Sequence, residues 1–117
     1  MNKNLTIIIP SYKSKKLVLS HVNLLCKKYK IIIIENSYDK SLEKIIKKKF
    51  NNVDFYLKKN IGYGRAINFA SKYVKTKYFF VMSPDTILYK NTLNNLINTG
   101  NKIKKFGMIA PNHIDNK

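Results

Sequence analysis

Short runs of branched apolar residues, separated by segments with helical spacing, constrain the fold of this chain more than any other feature. Residues 5–10 read LTIIIP and residues 30–35 read KIIIIE. A continuous apolar run bounded by proline or polar residues is typical of a strand that is buried on both faces of a parallel sheet. Residues 53–57 and 78–82 are predicted to form two further strands, and residues 108–111 to begin a fifth.

Apolar residues at helical spacing fill the segments between these strands. Four helices are predicted, at residues 15–29, at residues 41–49, from the stretch NIGYGRAIN (residues 60–68, here called the glycine loop) to about residue 74, and at about residues 91–105. Parallel neighbours need a crossover, and a helix is the usual one. The alternation therefore predicts a doubly wound, mostly parallel, Rossmann-like α/β sheet in one domain over residues 1–117, incomplete at its C-terminal end.

Three residues are expected at helix ends. Ser41 is predicted to cap the second helix, with Asp39 as an alternative cap or turn former. Gly107 is predicted to end the fourth helix. Cys26 is the one cysteine of the chain and lies on the apolar side of a helical pattern, so we expect it in the core.

The basic charge of the chain suggests anionic partners. Lysine and arginine number 23 against 6 acidic residues, which gives a formal net charge of +17. However, Arg65 is the only arginine, and the lysines are spread through every segment. Bidentate recognition of phosphates and base edges favours arginine, so no specific nucleic-acid binding is predicted, and a basic nucleic-acid-associated protein is the least favoured alternative. We expect a diffuse attraction to anions, including peripheral association with an anionic membrane.

Several other classes are excluded by missing motifs. No apolar stretch approaches the ~20 residues of a membrane span, and the first run is too short for a secretory signal, so we predict a cytoplasmic protein. The first strand is not followed by G-x-G-x-x-G, and no Walker A loop is present. His21 and His113 have no metal-ligand spacing, and His21 is expected to be an ordinary helix-surface residue.

The stretch NIGYGRAIN, residues 60–68, holds two of the four glycines of the chain and its only arginine. It reads as a tight loop that leads into a helix, and a plain strand-to-helix connector is the structural alternative. Polar sets also follow the other strands, and the ligand crevice of such a sheet lies beyond the carboxyl ends of its strands. The candidate binding residues are Ser11 and Tyr12 after the first strand, Glu35, Asn36, Ser37 and Asp39 after the second, Asn60, Gly62, Gly64, Arg65 and Asn68 after the third, and Ser83 and Asp85 after the fourth.

The segments LTIIIPSYK, IIIIENSYDKS, NIGYGRAIN and YFFVMSPDT occur in that order. Together they resemble the amino-terminal half of a family 2 glycosyltransferase of the GT-A fold, with the nearest likeness to rhamnosyltransferase-like members, over residues 5–111. The resemblance implies binding of a nucleotide-diphosphate-sugar donor. It further implies inverting transfer of the sugar to the hydroxyl of a glycan or lipid-linked acceptor, in polysaccharide or glycoconjugate synthesis.

The resemblance also implies roles for individual residues. The Tyr12 ring would face the base or ribose, beside Ser11. Glu35 falls where the family has an aspartate that accepts a hydrogen bond from a pyrimidine, and its structural alternative is a solvent-facing strand end. Arg65 would offer charge-assisted hydrogen bonds to phosphate oxygens. The remaining matches lie in the polar turn after the second strand and in the loop beside the diphosphate and sugar: Asn36, Ser37, Asp39, Asn60, Gly62, Gly64 and Asn68.

Asp85 matches the last acid of the family's D-x-D motif, which holds Mg²⁺ or Mn²⁺, and Ser83 stands in place of the first acid. The alternative role of Asp85 is that of a Pro-Asp turn former. Complete members of the family have a second, acceptor-binding half with the general base, and the only acid beyond the fifth predicted strand, Asp115, is not assigned that role. We therefore expect the chain to stop before the acceptor half and not to turn over alone. The alternative is a non-catalytic module that binds nucleotide sugars or a partner chain.

Overall fold

The computed structural model describes residues 1–103 and 105–114. Strands and helices alternate along this part of the chain, as predicted. The elements are β1 (Leu5–Ser11), α1 (Lys15–Leu25), β2 (Lys30–Glu35), α2 (Lys40–Lys49), β3 (Val53–Leu57), α3 (Tyr63–Ser71), β4 (Tyr78–Val81) and α4 (Thr92–Lys102). The first four predicted strands are confirmed to within one residue, and α1, α3 and α4 each end three or four residues earlier than predicted.

All strand pairs in the sheet are parallel, in the order β3-β2-β1-β4. The first two crossovers step outward in one direction, and the third returns across the sheet to the far side of β1. Because such crossovers are right-handed, α1 and α2 cover one face of the sheet and α3 covers the other. The predicted doubly wound α/β sheet is confirmed, and its strand order reverses between β1 and β4.

The two central strands form the core of the sheet. The side chains of residues 7–9 in β1 and 31–34 in β2 are fully buried, because helices cover both faces of the sheet at these positions. On the α3 face, Ile8, Ile32 and Ile34 pack against Ala66 and Ala70 of the helix. The small alanine side chains let this helix approach the sheet closely. The edge strands β3 and β4 are only partly buried, because each pairs with a neighbouring strand on one side only.

Helix α2 is capped by Asp39, and the prediction that Ser41 caps it is wrong. The Asp39 carboxylate accepts hydrogen bonds from the Leu42 backbone N–H at 3.0 Å and from the Ser41 hydroxyl at 2.5 Å. Asp39 has the extended backbone of a cap residue, whereas Ser41 already lies inside the helix. The alternative prediction, that Asp39 is the cap, is confirmed.

The fifth strand is also predicted wrongly, because residues 108–111 form no strand. A strand exists through ladder hydrogen bonds to a neighbour, and Pro111 has no N–H to donate. Met108 is 88% exposed, so its side chain does not belong to a core. Gly107 does not end α4, which already ends at Lys102.

The chain divides into two compact units, Met1–Thr86 and Ile87–Lys117. The first holds the whole sheet with α1 to α3, and the second holds α4, which buries Leu93, Ile97 and Gly100. The single domain over residues 1–117 stays a prediction. Cys26 is buried, as predicted. In the part of the chain that the structure describes, every helix is too short or too polar to cross a membrane.

Candidate functional site at the carboxyl edge of the sheet

The carboxyl ends of the strands lie along one edge of the sheet because every pair is parallel. Ser11, Glu35 and Leu57 end their strands in register with one another. Strand β4 pairs with the first half of β1, and the Met82 N–H continues the ladder by donating to the Ile8 carbonyl at 3.0 Å. The polar segments after the strands therefore begin at the same edge, as the sequence predicted.

Glu35 builds the turn that follows β2. Its carboxylate accepts three hydrogen bonds: from the Ser37 N–H at 3.0 Å, the Ser37 hydroxyl at 2.6 Å and the Asp39 N–H at 2.8 Å. The residue is 1% exposed, so the alternative of a solvent-facing strand end is wrong. Inside this turn Tyr38 has a positive φ of 55°, a conformation that such a residue adopts only where its surroundings impose it. The expected contact of Glu35 with a base stays a prediction.

The turn after β1 is fastened to the turn after β2. The Lys13 N–H donates to the Ser37 hydroxyl at 3.0 Å, and the Asn36 N–H donates to the Ser11 carbonyl at 2.7 Å. Lys13 also has a positive φ of 50°. Beside these turns the Tyr12 ring is 51% exposed, with the Lys13 ammonium 5.3 Å from its centroid. An accessible aromatic face thus borders a rigid pair of turns.

Two side-chain oxygen atoms at this edge are buried and accept no hydrogen bond from any residue that the structure describes. They are Ser11 Oγ and Asn36 Oδ1, on residues that are 1% and 5% exposed. The Asn36 amide nitrogen lies 3.5 Å from the Gly62 carbonyl, which orients the side chain across to the glycine loop. Leaving a buried polar group unpaired costs about 1–3 kcal/mol, so such groups in folded proteins are normally paired with a residue, an ordered water or a ligand.

The glycine loop contains one residue that must be glycine and one that need not be. Gly62 has φ 84° and ψ 167°, a region that only glycine populates readily, and the Asn60 side chain accepts its N–H at 3.0 Å. Gly64 lies inside α3 with ordinary φ, and a Cβ built there meets no atom within 4 Å. Arg65 and Asn68 follow on α3, three residues apart and both exposed.

A tight turn over residues 83–86 follows β4, and the Thr86 N–H donates to the Ser83 carbonyl at 3.1 Å. His21 Nε2 lies 2.7 Å from the Pro84 carbonyl oxygen, so the imidazole of α1 holds this turn from the side. Sequence reasoning missed this role of His21. No sequence signal reveals it, because the two partners are 63 residues apart.

The predicted Mg²⁺ or Mn²⁺ fits these residues only in part. The described residues contain no group of three or more His, Cys, Asp or Glu side chains that could hold a metal ion. Glu35 and Asp39 use their carboxylates within their own turn. Asp85 is exposed, and no described residue forms a hydrogen bond or ion pair with it. One carboxylate with water and phosphate oxygens of a ligand is a common Mg²⁺ environment, so the donor set fits a metal that arrives with a nucleotide.

The fold and this edge define the chain as a Rossmann-like α/β domain with a candidate ligand site at the carboxyl ends of its strands. The crystal structure of residues 1–349 of TarS from S. aureus has the same fold, with a TM-score of 0.66 at 18% identity over 92% of this chain and 38% of that one. The model of the glycosyl transferase family 2 matches residues 6–109. The chain therefore belongs to glycosyltransferase family 2, as the four sequence segments indicated.

Curated relatives support the same family. An uncharacterised glycosyltransferase of Rickettsia typhi is 31% identical over 110 residues, which is 90% of this chain and 34% of the relative. A second one, from Rickettsia prowazekii, is 30% identical over 109 residues, again with 90% and 34% covered. The chain thus spans about a third of the length of these relatives.

Proposed function

We propose that this chain binds a nucleotide-diphosphate sugar at the carboxyl edge of its sheet, as the donor side of sugar transfer. The observation that carries this proposal is the pair of buried, unpartnered oxygen atoms, Ser11 Oγ and Asn36 Oδ1, between the exposed Tyr12 ring and the glycine loop. These oxygen atoms have almost no exposed surface, so we propose that a base or ribose reaches them through rotation of the Ser11 and Asn36 side chains and then pairs its N–H or O–H donors with them. A bound nucleoside would also cover the Tyr12 ring.

The diphosphate is proposed to lie beside the glycine loop. Gly62 turns the chain sharply there, and α3 begins immediately after it, so backbone N–H groups and the positive end of the helix face the ligand. Arg65 is exposed in the first turn of α3 and adds a charge-assisted donor. Asn60, Gly64 and Asn68 border the same space. Further cations surround the edge, with Lys40 Nζ 5.5 Å from the Tyr38 ring and Lys58 Nζ 4.2 Å from the Phe69 ring.

Asp85 is proposed to hold a divalent cation together with the diphosphate, with Ser83 beside it. A metal in that place would neutralise charge on the departing nucleotide diphosphate. Because this turn offers one carboxylate, we expect Mn²⁺ to bind measurably only when a diphosphate is present.

Sugar transfer also needs a base that removes the proton of the acceptor hydroxyl as it attacks the anomeric carbon. Among the described acids, Glu35, Asp39, Glu43 and Asp54 each have a hydrogen-bond or ion-pair partner, and Asp85 is proposed as the metal ligand. Asp115 lies outside the described residues. We propose that the acceptor, a glycan or lipid-linked hydroxyl, and its base lie outside this sheet edge, so that the chain binds the donor without turnover. A non-catalytic nucleotide-sugar-binding module remains the alternative.

A thermal-shift panel of UDP, dTDP, GDP and their sugars, with and without Mn²⁺, tests the proposal. A ligand that binds only the folded chain must raise Tm, and a concentration of 100 times Kd contributes about 2.7 kcal/mol. At least one nucleotide is expected to raise Tm, more with Mn²⁺ than without. Asp85→Ala should abolish the Mn²⁺ increment and keep the metal-independent part. The proposal is rejected if no ligand of the panel shifts the transition, and detectable transfer by the chain alone would reject the absence of turnover.

We also propose that this chain is cytoplasmic and that it associates peripherally with an anionic membrane through α2. Lys40, Lys44, Lys47, Lys48 and Lys49 are exposed on this ten-residue helix, and among the described residues only Lys47 of these five forms an ion pair, with Glu43 at 3.4 Å. Each lysine near an anionic surface is worth about 1 kcal/mol. Sedimentation with phosphatidylserine vesicles should decrease when Lys44 and Lys48 are replaced by glutamine. Equal binding to neutral phosphatidylcholine vesicles would contradict this mode.

A further inference from the structure

The bond from His21 to the Pro84 carbonyl joins two distant parts of the first unit at the place where Asp85 is presented. We infer that His21 is a positioning residue: it fixes the turn over residues 83–86, and with it the direction of the Asp85 side chain. The functional part of this inference rests on the proposed role of Asp85 in donor binding.

The peptide unit that carries the contact explains its effect. The Pro84 carbonyl and the Asp85 N–H belong to one planar unit, so a hydrogen bond to the carbonyl oxygen fixes the orientation of both. The proline ring already fixes φ at Pro84. With the plane between the two residues held as well, the direction of the Asp85 Cα–Cβ bond depends on rotation about the Asp85 N–Cα bond, which the bond from the Thr86 N–H to the Ser83 carbonyl restricts.

Few other contacts hold this turn among the described residues. Strand β4 is a four-residue edge strand whose last ladder bond is the one from Met82 to Ile8, at 3.0 Å. The turn has one internal backbone bond, from Thr86 to Ser83, and Asp85 itself is exposed. The His21 bond is the one side-chain hydrogen bond that the described structure gives to residues 83–86. Without the His21 bond, a four-residue edge strand would leave the turn that follows it free to move.

Helix α1 offers a rigid base for the contact. Val18 and Val22, on either side of His21 in the sequence, are both 0% exposed and fix the helix against the sheet. His21 itself is half-buried, so its ring has few alternative orientations that point into solvent. The imidazole donates through Nε2–H, because the carbonyl oxygen can only accept. Gln extends an amide N–H to a similar reach, whereas Leu has a similar volume and no donor.

The wild-type chain gives the first test, which needs no variant. At pH 8.5, ¹⁵N NMR of the imidazole is expected to show the Nε2–H tautomer of His21. The Nδ1–H tautomer would overturn the inference, because Nε2 would then have no proton to donate.

Variants give the second test, with amide hydrogen exchange at Thr86 as a readout that requires no ligand. In His21→Leu, exchange at Thr86 is expected to become about fivefold to tenfold faster, as loss of one hydrogen bond predicts. His21→Gln should restore the wild-type rate. Exchange at a core amide such as Ile32 should stay unchanged in both, which shows that the variants are folded. Equal rates at Thr86 in the wild type and in His21→Leu would overturn the inference.

A third measurement connects the tether to the site. Mn²⁺ with inorganic pyrophosphate, followed by electron paramagnetic resonance, probes the Asp85 turn without a choice of base. Binding is expected to weaken several-fold in His21→Leu and to recover in His21→Gln. If the wild type does not bind this probe, the metal role proposed for Asp85 fails, and the exchange result still decides whether His21 holds the turn. If the wild type and His21→Leu bind equally, His21 does not position Asp85.

Discussion

The two halves of the carboxyl edge are built in opposite ways. Where β1 and β2 end, Ser11, Glu35 and Asn36 are buried, and hydrogen bonds fasten the two turns to each other, with three accepted by Glu35 alone. Where β3 and β4 end, Arg65, Asn68 and Asp85 are exposed, and no described residue forms a hydrogen bond or ion pair with Asp85. The first half is therefore mainly a fixed scaffold, and within it the exposed Tyr12 ring and the unpartnered oxygen atoms of Ser11 and Asn36 are the groups proposed to meet the ligand. The second half keeps its charged groups available for a ligand.

The largest expected effect is on the fixed half. Glu35→Ala removes the acceptor of three hydrogen bonds and leaves two backbone N–H donors without partners, which should lower the free energy of unfolding by about 3 kcal/mol or more. Urea denaturation measures the loss. Glu43→Ala is the control, because Glu43, which is half-buried, forms a single ion pair, at 3.4 Å, with the exposed Lys47, and its loss should cost under about 1 kcal/mol. Similar losses for the two variants would contradict a structural role of Glu35.

The next largest effect is expected in the half where β3 and β4 end, and it concerns ligand affinity. Arg65→Ala should leave the free energy of unfolding within about 0.5 kcal/mol, because the side chain is exposed. Its loss of charge-assisted bonds should weaken nucleotide-diphosphate binding by about tenfold to a hundredfold, equivalent to about 1.5–3 kcal/mol. Isothermal titration calorimetry measures the affinity. Lys72→Ala, at the other end of α3, should change neither quantity, and equal weakening by this control would point to a diffuse charge effect.

Substitutions of Gly62 and Gly64 test whether backbone strain in the glycine loop is confined to Gly62. Gly62→Ala should cost about 1–3 kcal/mol of stability, because φ is 84° there, although the structure has room for a Cβ. Gly64→Ala should be neutral or should stabilise by up to about 1 kcal/mol, because alanine favours the helix and no atom lies within 4 Å. Thermal unfolding of the two variants gives both numbers. Equal changes would show that the positive φ of Gly62 carries no strain.

The smallest expected effect concerns pH in the fixed half. The Ser41 hydroxyl, followed by the Leu42 N–H, lowers the pKa of Asp39 below its ordinary value. A lowered pKa means that the carboxylate stabilises the fold above the ordinary aspartate pKa of about 3.9 and that this contribution is lost as pH falls through the folded-state pKa. Asp39→Ala should therefore cost about 1 kcal/mol at pH 7, and the difference from wild type should narrow in acid. A constant difference from pH 7 to pH 3 would show that the ionised carboxylate of Asp39 is not what stabilises the helix end.

Much of the fold could be predicted because local patterns carry it. The isoleucine runs of β1 and β2 indicated the buried strands, and the helical spacing between them indicated the crossovers. The end of the chain was predicted wrongly at residues 108–111, because an apolar segment becomes a strand only if a neighbouring strand bonds to it. Helix caps were ambiguous for a related reason, since Asp39 and Ser41 both have suitable oxygen atoms and only the backbone decides between them.

The sequence by itself determined the family and the parallel sheet. It also determined the edge at which the polar residues collect, because the carboxyl ends of parallel strands all lie at the same edge of a sheet. Only the tertiary structure decided what each polar residue does there. It buried Glu35 in its own turn, left Ser11 and Asn36 with unpartnered oxygen atoms, and brought His21 to Pro84. The burial of Glu35, Ser11 and Asn36 depends on the neighbouring strands and on the helices that cover them, and His21 meets Pro84 across 63 residues of chain, so no local pattern encodes these outcomes.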